Sequence, residues 1–312
     1  MQDFDQSDDR LSQTESIIEM EENVNSFEAG SKQIAVLITC FNRVATTLQC
    51  LDHLFQATLP ENTSIEVFLV DDGSPDLTGQ KVKSKYPQVN VIQGDGNLYW
   101  SGGMYKAWEE AAKSKDFDFY LWLNDDTHIF PEAIVELLKD AAITHSKSLI
   151  VGSCLSNKDK SFTYGGYVGE VSLLPSGVPQ KCDFTNGNLV LVPKHIYTKI
   201  GNLNKRYIHL YGDYDYSMRV NQAGLSCYSS SQFLATCEPN EKSYWGTDDM
   251  STWQKLKLLH HPKGIDLKRG FYFKKYHFGT KVGIKVVLDA YLRILTPALH
   301  RLIKRKKSKV KG

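Results

Sequence analysis

The sequence predicts an α/β fold with a mostly parallel central sheet flanked by helices. Two observations predict it. Continuous apolar runs of strand length, which are typical of strands buried on both faces, alternate with segments whose apolar residues recur at helical spacing. The order β-α-β-α-β-α-β over the first half of the chain is that of a sheet built through right-handed crossovers.

The first half of the chain carries this alternation without interruption. The first strand is the apolar run "QIAVLIT", residues 33–39, and the last is "DFYLWLNDD", which ends on Asn124-Asp125-Asp126. Between them, the pattern predicts helices over 42–57, 76–86 and 102–114, and strands over 64–72 and 89–94.

After residue 150 the pattern loosens into short strands and glycine turns. Strands are predicted over 148–155, 162–169, 187–194 and 225–238, with a short helix near residues 195–203. A further helix starts near Asp213 and is predicted to end at Gly224, because glycine accepts the left-handed conformation that follows many helices.

Composition is that of an ordinary globular protein, but the two ends of the chain carry opposite charge. The net charge of the 312 residues is +1, whereas residues 1–30 hold nine acidic side chains and residues 301–312 hold seven basic ones. We therefore predict four parts: a disordered acidic tail over 1–30, an α/β domain over 31–240, a C-terminal extension over 241–283 and an amphipathic basic tail over 284–312.

Compartment is predicted from three absences in the sequence. The six cysteines form no CxxC pair, the start of the chain is acidic rather than signal-like, and no apolar run reaches the roughly 20 residues that span a bilayer. These features favour reduced thiols and a cytoplasmic location.

Polar residues follow three of the predicted strands at the point where each ends. They are Thr39 to Asn42 after the first strand, Asp71-Asp72 after the second, and Asn124 to Asp126 after the fourth. Because ligands of open α/β sheets bind beyond the carboxyl ends of the strands, we expect these sets to converge on one crevice. Neither GxGxxG nor GxxxxGK[ST] occurs, so an ordinary dinucleotide site or P-loop is not indicated.

This ordered set resembles the family-two nucleotide-sugar glycosyltransferases, which have the GT-A fold. The matching segments are the "TCFNR" turn, the "DDGS" strand end, the "NDD" strand end, and the later acidic segment Asp213-Tyr214-Asp215 with Arg219. The resemblance covers about residues 33–240. It implies that the domain over 31–240 is the GT-A glycosyltransferase domain and that the extension over 241–283 lies on the acceptor side.

The resemblance implies roles for particular residues. It implies that Asp126 ligates Mg²⁺ or Mn²⁺ on the donor diphosphate and that Asp213 is the general base. The donor nucleotide is expected to contact the following residues: Thr39, Phe41, Asn42, Arg43, Asp72, Gly102, Gly103 and Asp125. The chemistry is consistent, because hard divalent cations prefer carboxylate oxygens and phosphates, and a carboxylate suffices to take the acceptor's proton.

Several of these residues could instead have purely structural roles. Asp126 or Thr127 could cap the following helix, Gly102-Gly103 could belong to a flexible loop, and Asp215 could either cap its helix or pair with Arg219 at i+4.

Two positions depart from the family pattern. Gly212 stands where the family often has Glu, and Cys237-Glu238 stands where a histidine often completes the metal site. Three side chains remain candidates for that last ligand: Glu238, His260 and His261.

The end of the chain is amphipathic and basic. Residues 282–303, interrupted by Pro297, carry an apolar face and lead into "KRKKSKVK". This pairing favours an anionic membrane surface on the inner face of the cell membrane, rather than nucleic acid.

Together these features predict an inverting, metal-dependent glycosyltransferase. It would move a sugar from a UDP- or dTDP-type donor to a saccharide or lipid-linked saccharide acceptor in surface-polysaccharide synthesis. A sugar nucleotidyltransferase and a non-catalytic nucleotide-sugar or glycan-binding relative are the alternatives.

Overall fold

The computed structural model describes residues 30–240, 244–247 and 249–301. The predicted disorder of the acidic tail and most of the basic run at the other end therefore fall outside the described residues. Within them, the predicted α/β architecture is confirmed.

One large sheet forms the centre of the molecule. The four strands from the first half of the chain are β1 (Lys32–Cys40), β2 (Thr63–Asp71), β3 (Asn90–Gln93) and β4 (Phe119–Leu123). The later ones are β6 (Ser148–Leu155), β10 (Gln180–Cys182), β12 (Leu189–Pro193) and β13 (Ser226–Thr236). These eight strands lie in the order β3-β2-β1-β4-β12-β6-β13-β10, and β12 and β10 run antiparallel to the other six.

Shorter strands border this sheet. β5 (His128–Ile129) pairs with β13, and β7 (Phe162–Tyr164) pairs with β6. A separate three-stranded sheet is made of β8 (Gly166–Val168), β9 (Val171–Ser172) and β11 (Phe184–Thr185).

Helices cover both faces of the large sheet because successive side chains of a strand point to opposite sides. In β1, Ile34 and Val36 belong to the core cluster under α1 (Val44–Gln56) and α4 (Ala133–Ile143). Ala35 and Leu37 belong to the core cluster on the other face. That second face is covered by α3 (Tyr99–Ser114), α5 (Lys194–Ile200) and α6 (Gly212–Gln222), while α2 (Thr78–Lys85) lies between β2 and β3 in sequence.

The C-terminal region adds three helices. They are α7 (Thr252–His260), α8 (Leu267–Phe278) and α9 (Thr280–Leu295), and they share a small core of Leu259, Leu267, Ala290 and Ile294. None of the described helices is both long and apolar enough to cross a membrane.

Two predicted boundaries differ from the structure. Helix α3 begins at Tyr99, three residues earlier than predicted, so Gly102 and Gly103 lie inside the helix rather than at its start. The boundary placed at residue 284 falls within α9, which begins at Thr280 and ends at Leu295, before Pro297. Helix α6 ends as predicted, because Gly224 follows it with φ of +74°.

Candidate functional site

The three polar strand ends do converge, and Arg43 connects two of them. After β1 the chain turns at Asn42, whose φ is +54° and whose N–H donates to Ser74 Oγ at 2.9 Å. This turn directs Arg43 across the end of the sheet to the acids after β4. Its Nη1 lies 2.9 Å from Asp126 Oδ2, and its Nη2 contacts Asp125.

Asp125 is the buried member of the acidic pair. Its side chain is only 2% exposed, and besides Arg43 it accepts a hydrogen bond from Thr47 Oγ1 at 3.2 Å. Burial raises the pKa of Asp125 to about 7, against the opposing effect of Arg43. The carboxylate of Asp125, which was predicted to contact the donor nucleotide, is directed at Arg43 and Thr47.

Asp126 is the exposed member of the pair, with 38% of its side chain open to the crevice. The helix-cap alternative is excluded, because α4 begins only at Ala133 and β5 lies between. Asp126 Oδ1 is 3.8 Å from the thiol of Cys237, whose pKa burial raises to about 12. That thiol is protonated at neutral pH, so it is a poor metal ligand.

The candidates for a further metal ligand are engaged elsewhere. Glu238 accepts hydrogen bonds from Ser156 Oγ at 3.0 Å and from the Asn157 N–H at 2.8 Å. His260 contacts the hydroxyl of Tyr291 at 3.1 Å, and His261 Nδ1 accepts from the Lys263 N–H. In the described part of the chain no three His, Cys, Asp or Glu side chains form a metal-binding group.

The carboxylate of Asp126 nevertheless fits a Mg²⁺ or Mn²⁺ ion that is bound together with a nucleoside diphosphate. Mg²⁺ or Mn²⁺ on a nucleoside diphosphate takes one or two protein carboxylates and completes its shell with phosphate oxygens and water. Asp126 presents one partly open carboxylate at the mouth of the crevice. It would hold the ion together with the donor itself.

The acids after β2 hold the backbone of their own loops. Asp71 accepts from the N–H groups of Ser74 and Gly79, and Asp72 accepts from those of Gly96 and Tyr99, all between 2.9 and 3.0 Å. Asp72 is 3% exposed. Its observed role is to fix the loop that leads into α3.

The two glycines of α3 serve different needs. A Cβ added to Gly103 would lie 2.0 Å from Thr39 Oγ1, whereas one added to Gly102 would meet only Leu98 at ordinary distance. The Gly102 N–H donates to the carbonyl of Ile208 at 3.1 Å. Gly103 therefore lets α3 pack against the end of β1.

Asp213 lies in the first turn of α6, beneath Trp100. Its Oδ2 accepts from the Gly187 N–H at 3.0 Å, and its Oδ1 accepts from its own helix at Tyr214. Burial raises the pKa of Asp213 to about 6. Trp100 donates from Nε1 to Asn124 Oδ1 at 2.5 Å, so one indole connects the "NDD" strand end with the Asp213 region.

Packing against α3 explains why a glycine, Gly212, precedes Asp213. A Cβ at Gly212 would lie 2.2 Å from Ser101 Oγ and 3.4 Å from the Trp100 ring. The glutamate that the family often has here would not fit without movement of α3. The sequence alone does not indicate this contact, because Ser101 and Gly212 are distant along the chain.

The predicted pairing of Asp215 with Arg219 is confirmed, with Nε 2.8 Å from Oδ2. Sequence reasoning missed the second partner, His277 of α8, whose Nε2 lies 2.9 Å from Asp215 Oδ1.

A lysine from the C-terminal part of the chain lies near the "TCFNR" turn. Lys263 Nζ lies 5.5 Å from the centroid of the Phe41 ring and 5.9 Å from that of Tyr99. Burial, together with the charges of Lys263, His261 and Arg43, lowers the pKa of the neighbouring His209 to about 4. Cations from two distant parts of the chain thus meet beside the crevice.

Comparison with known proteins identifies the family. The family model of glycosyl transferase family 2 matches residues 35–208, more than half of the chain. The chain belongs to glycosyl transferase family 2. The match ends five residues before Asp213, so it covers the three convergent strand ends and not the acidic segment of α6.

Curated relatives of this family-2 chain are glycosyltransferases by name. It is 24% identical over 295 residues to a poly(ribitol-phosphate) beta-glucosyltransferase of Bacillus spizizenii, covering 86% of this chain and 45% of that protein. It is 27% identical over 146 residues to the galactofuranosyltransferase GlfT2 of Mycolicibacterium smegmatis, covering 46% and 22%. The chain spans less than half the length of these relatives.

Solved structures show the same fold. Staphylococcus aureus TarS residues 1–349 superpose with a TM-score of 0.51 at 15% identity, covering 85% of this chain and 81% of that one. A complex of the same fragment with UDP-GlcNAc gives 0.50 at 13% identity, covering 83% and 72%. These similarities establish the GT-A fold for the chain.

Proposed function

We propose that the protein is an inverting glycosyltransferase that transfers a sugar from a UDP- or dTDP-linked donor to a saccharide acceptor of a surface polysaccharide. The observation that carries the proposal is the contact of one indole with two acidic segments. Trp100 Nε1 donates to Asn124 in the strand end that holds Asp126, and its ring lies beside the helix turn that holds Asp213. Asp126 is partly exposed and pairs with Arg43, whereas Asp213 accepts hydrogen bonds from backbone amides.

The donor is expected to lie over the "TCFNR" turn. Phe41 is 42% exposed there and, with Tyr99, provides aromatic surface near the cation of Lys263. Arg43 and Lys263 would balance the charge of the diphosphate, since charge-assisted bonds to phosphate are the stronger class of hydrogen bond. One relative is named for a poly(ribitol-phosphate) acceptor and another for the galactofuranosyl group that it transfers, which favours a polymer of sugar or polyol phosphate as acceptor.

The chain's own residues account for the proton. In inverting transfer the acceptor hydroxyl attacks the anomeric carbon, the bond from that carbon to the diphosphate oxygen breaks, and the hydroxyl proton passes to a base. Asp213 would accept that proton at a carboxylate oxygen. The pKa of Asp213 is raised to about 6, which is closer to neutral pH than the pKa of an ordinary aspartate. A carboxylate with this pKa is a better base at neutral pH.

A divalent ion, when bound at Asp126, would supply electrostatic stabilisation of the departing diphosphate. Arg43 holds the carboxylate of Asp126 at the crevice mouth. Asp125 keeps Arg43 in place from the buried side.

Peripheral association with a membrane is proposed as a second property. Ile284, Leu288 and Leu295 recur on one face of α9 and are 48%, 58% and 55% exposed. The sequence beyond this helix is strongly basic, which suits anionic lipid.

A donor screen tests the proposal. Thermal unfolding would be followed with UDP, dTDP and GDP and their sugars, each with and without Mn²⁺. A shift specific to one nucleotide, followed by release of that nucleotide when acceptor is added, supports it. Binding without any release supports the non-catalytic alternative, and formation of a nucleotide sugar from a sugar phosphate and a nucleoside triphosphate supports a nucleotidyltransferase.

A further inference from the structure

The helix that carries Asp213 is tied to the C-terminal helices through a buried histidine. His277, near the end of α8, and Asp215, in the first turn of α6, both have side chains that are 0% exposed. Their Nε2–Oδ1 distance is 2.9 Å. A carboxylate only accepts hydrogen bonds, so Nε2 carries the proton, and the other ring nitrogen lies 3.2 Å from the Gln222 amide.

Asp215 has no unused oxygen in this arrangement. Its Oδ2 accepts from Arg219 Nε at 2.8 Å, and the remaining Arg219 nitrogens donate to the carbonyls of Ile200 and Asn202 at 2.9 and 3.1 Å. A buried carboxylate is tolerated when it is paired and fully hydrogen-bonded, and removal of one partner is costly. His277 is the member of this network that comes from outside the GT-A sheet and its helices.

The loop leading into α6 is held by the same C-terminal segment. The Tyr211 hydroxyl donates to the carbonyl of Ile265 at 3.2 Å, and its ring stacks on Phe273 with centroids 5.1 Å apart. A Cβ on Gly270 would lie 2.8 Å from that hydroxyl, so the helix approaches closely. Arg269 Nε adds a bond to the carbonyl of Arg206 at 2.8 Å.

Tyr211 needs this support because its backbone is left-handed, with φ of +73°. A bulky residue in that region is strained, and such strain persists only where the surrounding structure determines it. The contacts at Tyr211 and Asp215 lie on either side of Asp213 in sequence. The C-terminal segment thus contacts the chain two residues before and two residues after the proposed base.

We propose that His277 is a positioning residue, which holds α6 through Asp215 so that Asp213 faces the acceptor. The inference rests on the proposed role of Asp213 as base. It assigns the C-terminal helices a part in catalysis that does not require them to touch either substrate. Loss of His277 would leave Asp215 with an unpaired oxygen, loosen the start of α6, and change transfer more than donor binding.

Variants of the full chain test this inference. His277→Ala removes the bond, His277→Gln keeps an N–H donor, and Gln222→Ala removes only the exposed partner of the ring. His300→Ala is the matched control, because it removes another histidine–aspartate contact, to Asp289 at 3.2 Å, that does not touch α6.

Two readouts separate positioning from general damage. Steady-state kinetics would use the nucleotide sugar selected by the donor screen, and hydrogen exchange would follow the amides of residues 206–217. For His277→Ala we expect kcat to fall at least about tenfold with donor KM within about twofold, and exchange over 206–217 to rise about tenfold. His277→Gln should recover most of both values, and His300→Ala should match the unaltered protein.

The inference is overturned if His277→Ala keeps its kcat, or if exchange over 206–217 is unchanged. It is also overturned if kcat and donor affinity fall together while His277→Gln gives no recovery, since that describes global destabilisation. If Asp213→Asn retains transfer, the proposed base is wrong. The exchange experiment then still decides whether α8 holds α6.

Discussion

Arg43 Nη1 lies 2.9 Å from Asp126 Oδ2 while the same guanidinium contacts Asp125, so one cation already balances the two adjacent acids after β4. Adjacent carboxylates at the end of a buried strand would otherwise repel each other. A divalent ion held by Asp126 would therefore share this site with Arg43, and both would supply positive charge to a donor diphosphate.

Asp126→Ala is expected to remove the Mn²⁺-dependent part of UDP binding, because the open carboxylate at the crevice mouth is lost. The drop in affinity with Mn²⁺ present should exceed about tenfold, which corresponds to about 1.4 kcal/mol. Isothermal titration of UDP with and without Mn²⁺ measures it. Glu110→Ala on the surface of α3 is the control, and an unchanged Mn²⁺ effect in Asp126→Ala would remove this residue from the metal site.

The pH dependence of transfer should report on Asp213. Its pKa is raised to about 6, and a base must be deprotonated to accept a proton, so kcat/KM should rise with pH through that value and fall about tenfold per unit below it. Asp213→Asn should lower kcat by about 10²–10⁴-fold while UDP affinity stays the same. Rates measured from pH 5 to pH 8 for both proteins decide the matter, and a flat profile for the unaltered protein contradicts the assignment.

Lys263→Ala should weaken UDP binding about tenfold, with an effect that shrinks as salt is added, because the lysine is placed to interact with phosphate by charge. Lys257→Ala is a matched control, since Lys257 also lies over an aromatic ring, that of Trp253 at 5.7 Å, on α7. Titrations at low and high ionic strength compare the two. Equal losses in both variants would argue against a phosphate contact by Lys263.

The neighbouring glycines of α3 should respond in opposite ways to alanine. Gly103→Ala forces a Cβ against Thr39 and should lower the free energy of unfolding by about 1–3 kcal/mol, the usual cost of overpacking. Gly102→Ala meets only ordinary contact and should raise it by up to about 1 kcal/mol, because alanine favours helix. Urea denaturation measures both, and equal stability of the two variants would refute the packing account.

Membrane association can be tested on the exposed face of α9 without removing the helix. Replacing Ile284, Leu288 and Leu295 with serine should abolish sedimentation with phosphatidylglycerol-containing vesicles, while both forms stay soluble with phosphatidylcholine alone. Replacing the exposed Val171 and Leu174 with serine is the control. If the triple variant still sediments with the anionic vesicles, the face of α9 is not the binding surface.

Local patterns predicted the architecture and the location of the crevice. Continuous apolar runs such as residues 33–39 are typical of buried parallel strands, and parallel strands bring their carboxyl ends to one edge of the sheet. The sequence alone thus placed Arg43 and Asp125, which are 82 residues apart, on one crevice.

What each side chain contacts was beyond local pattern. Asp215 and His277 are 62 residues apart and meet only because α8 packs against α6, and no periodicity encodes that docking. Glu238 was a reasonable ligand by its position after β13, yet it holds the backbone after β6 instead. Such outcomes depend on loop paths, which vary with small differences in packing.

Strand β12 runs antiparallel between β4 and β6, so it is the beginning of β12, rather than its end, that meets the crevice. There Asn188 accepts the Asn124 N–H at 2.9 Å, and Gly187 supplies an amide to Asp213. The excursion between residues 156 and 186 therefore leaves from the crevice edge and returns to it. Because the same excursion supplies β7 and β10 to the large sheet, it is anchored at the crevice and again along β6 and β13.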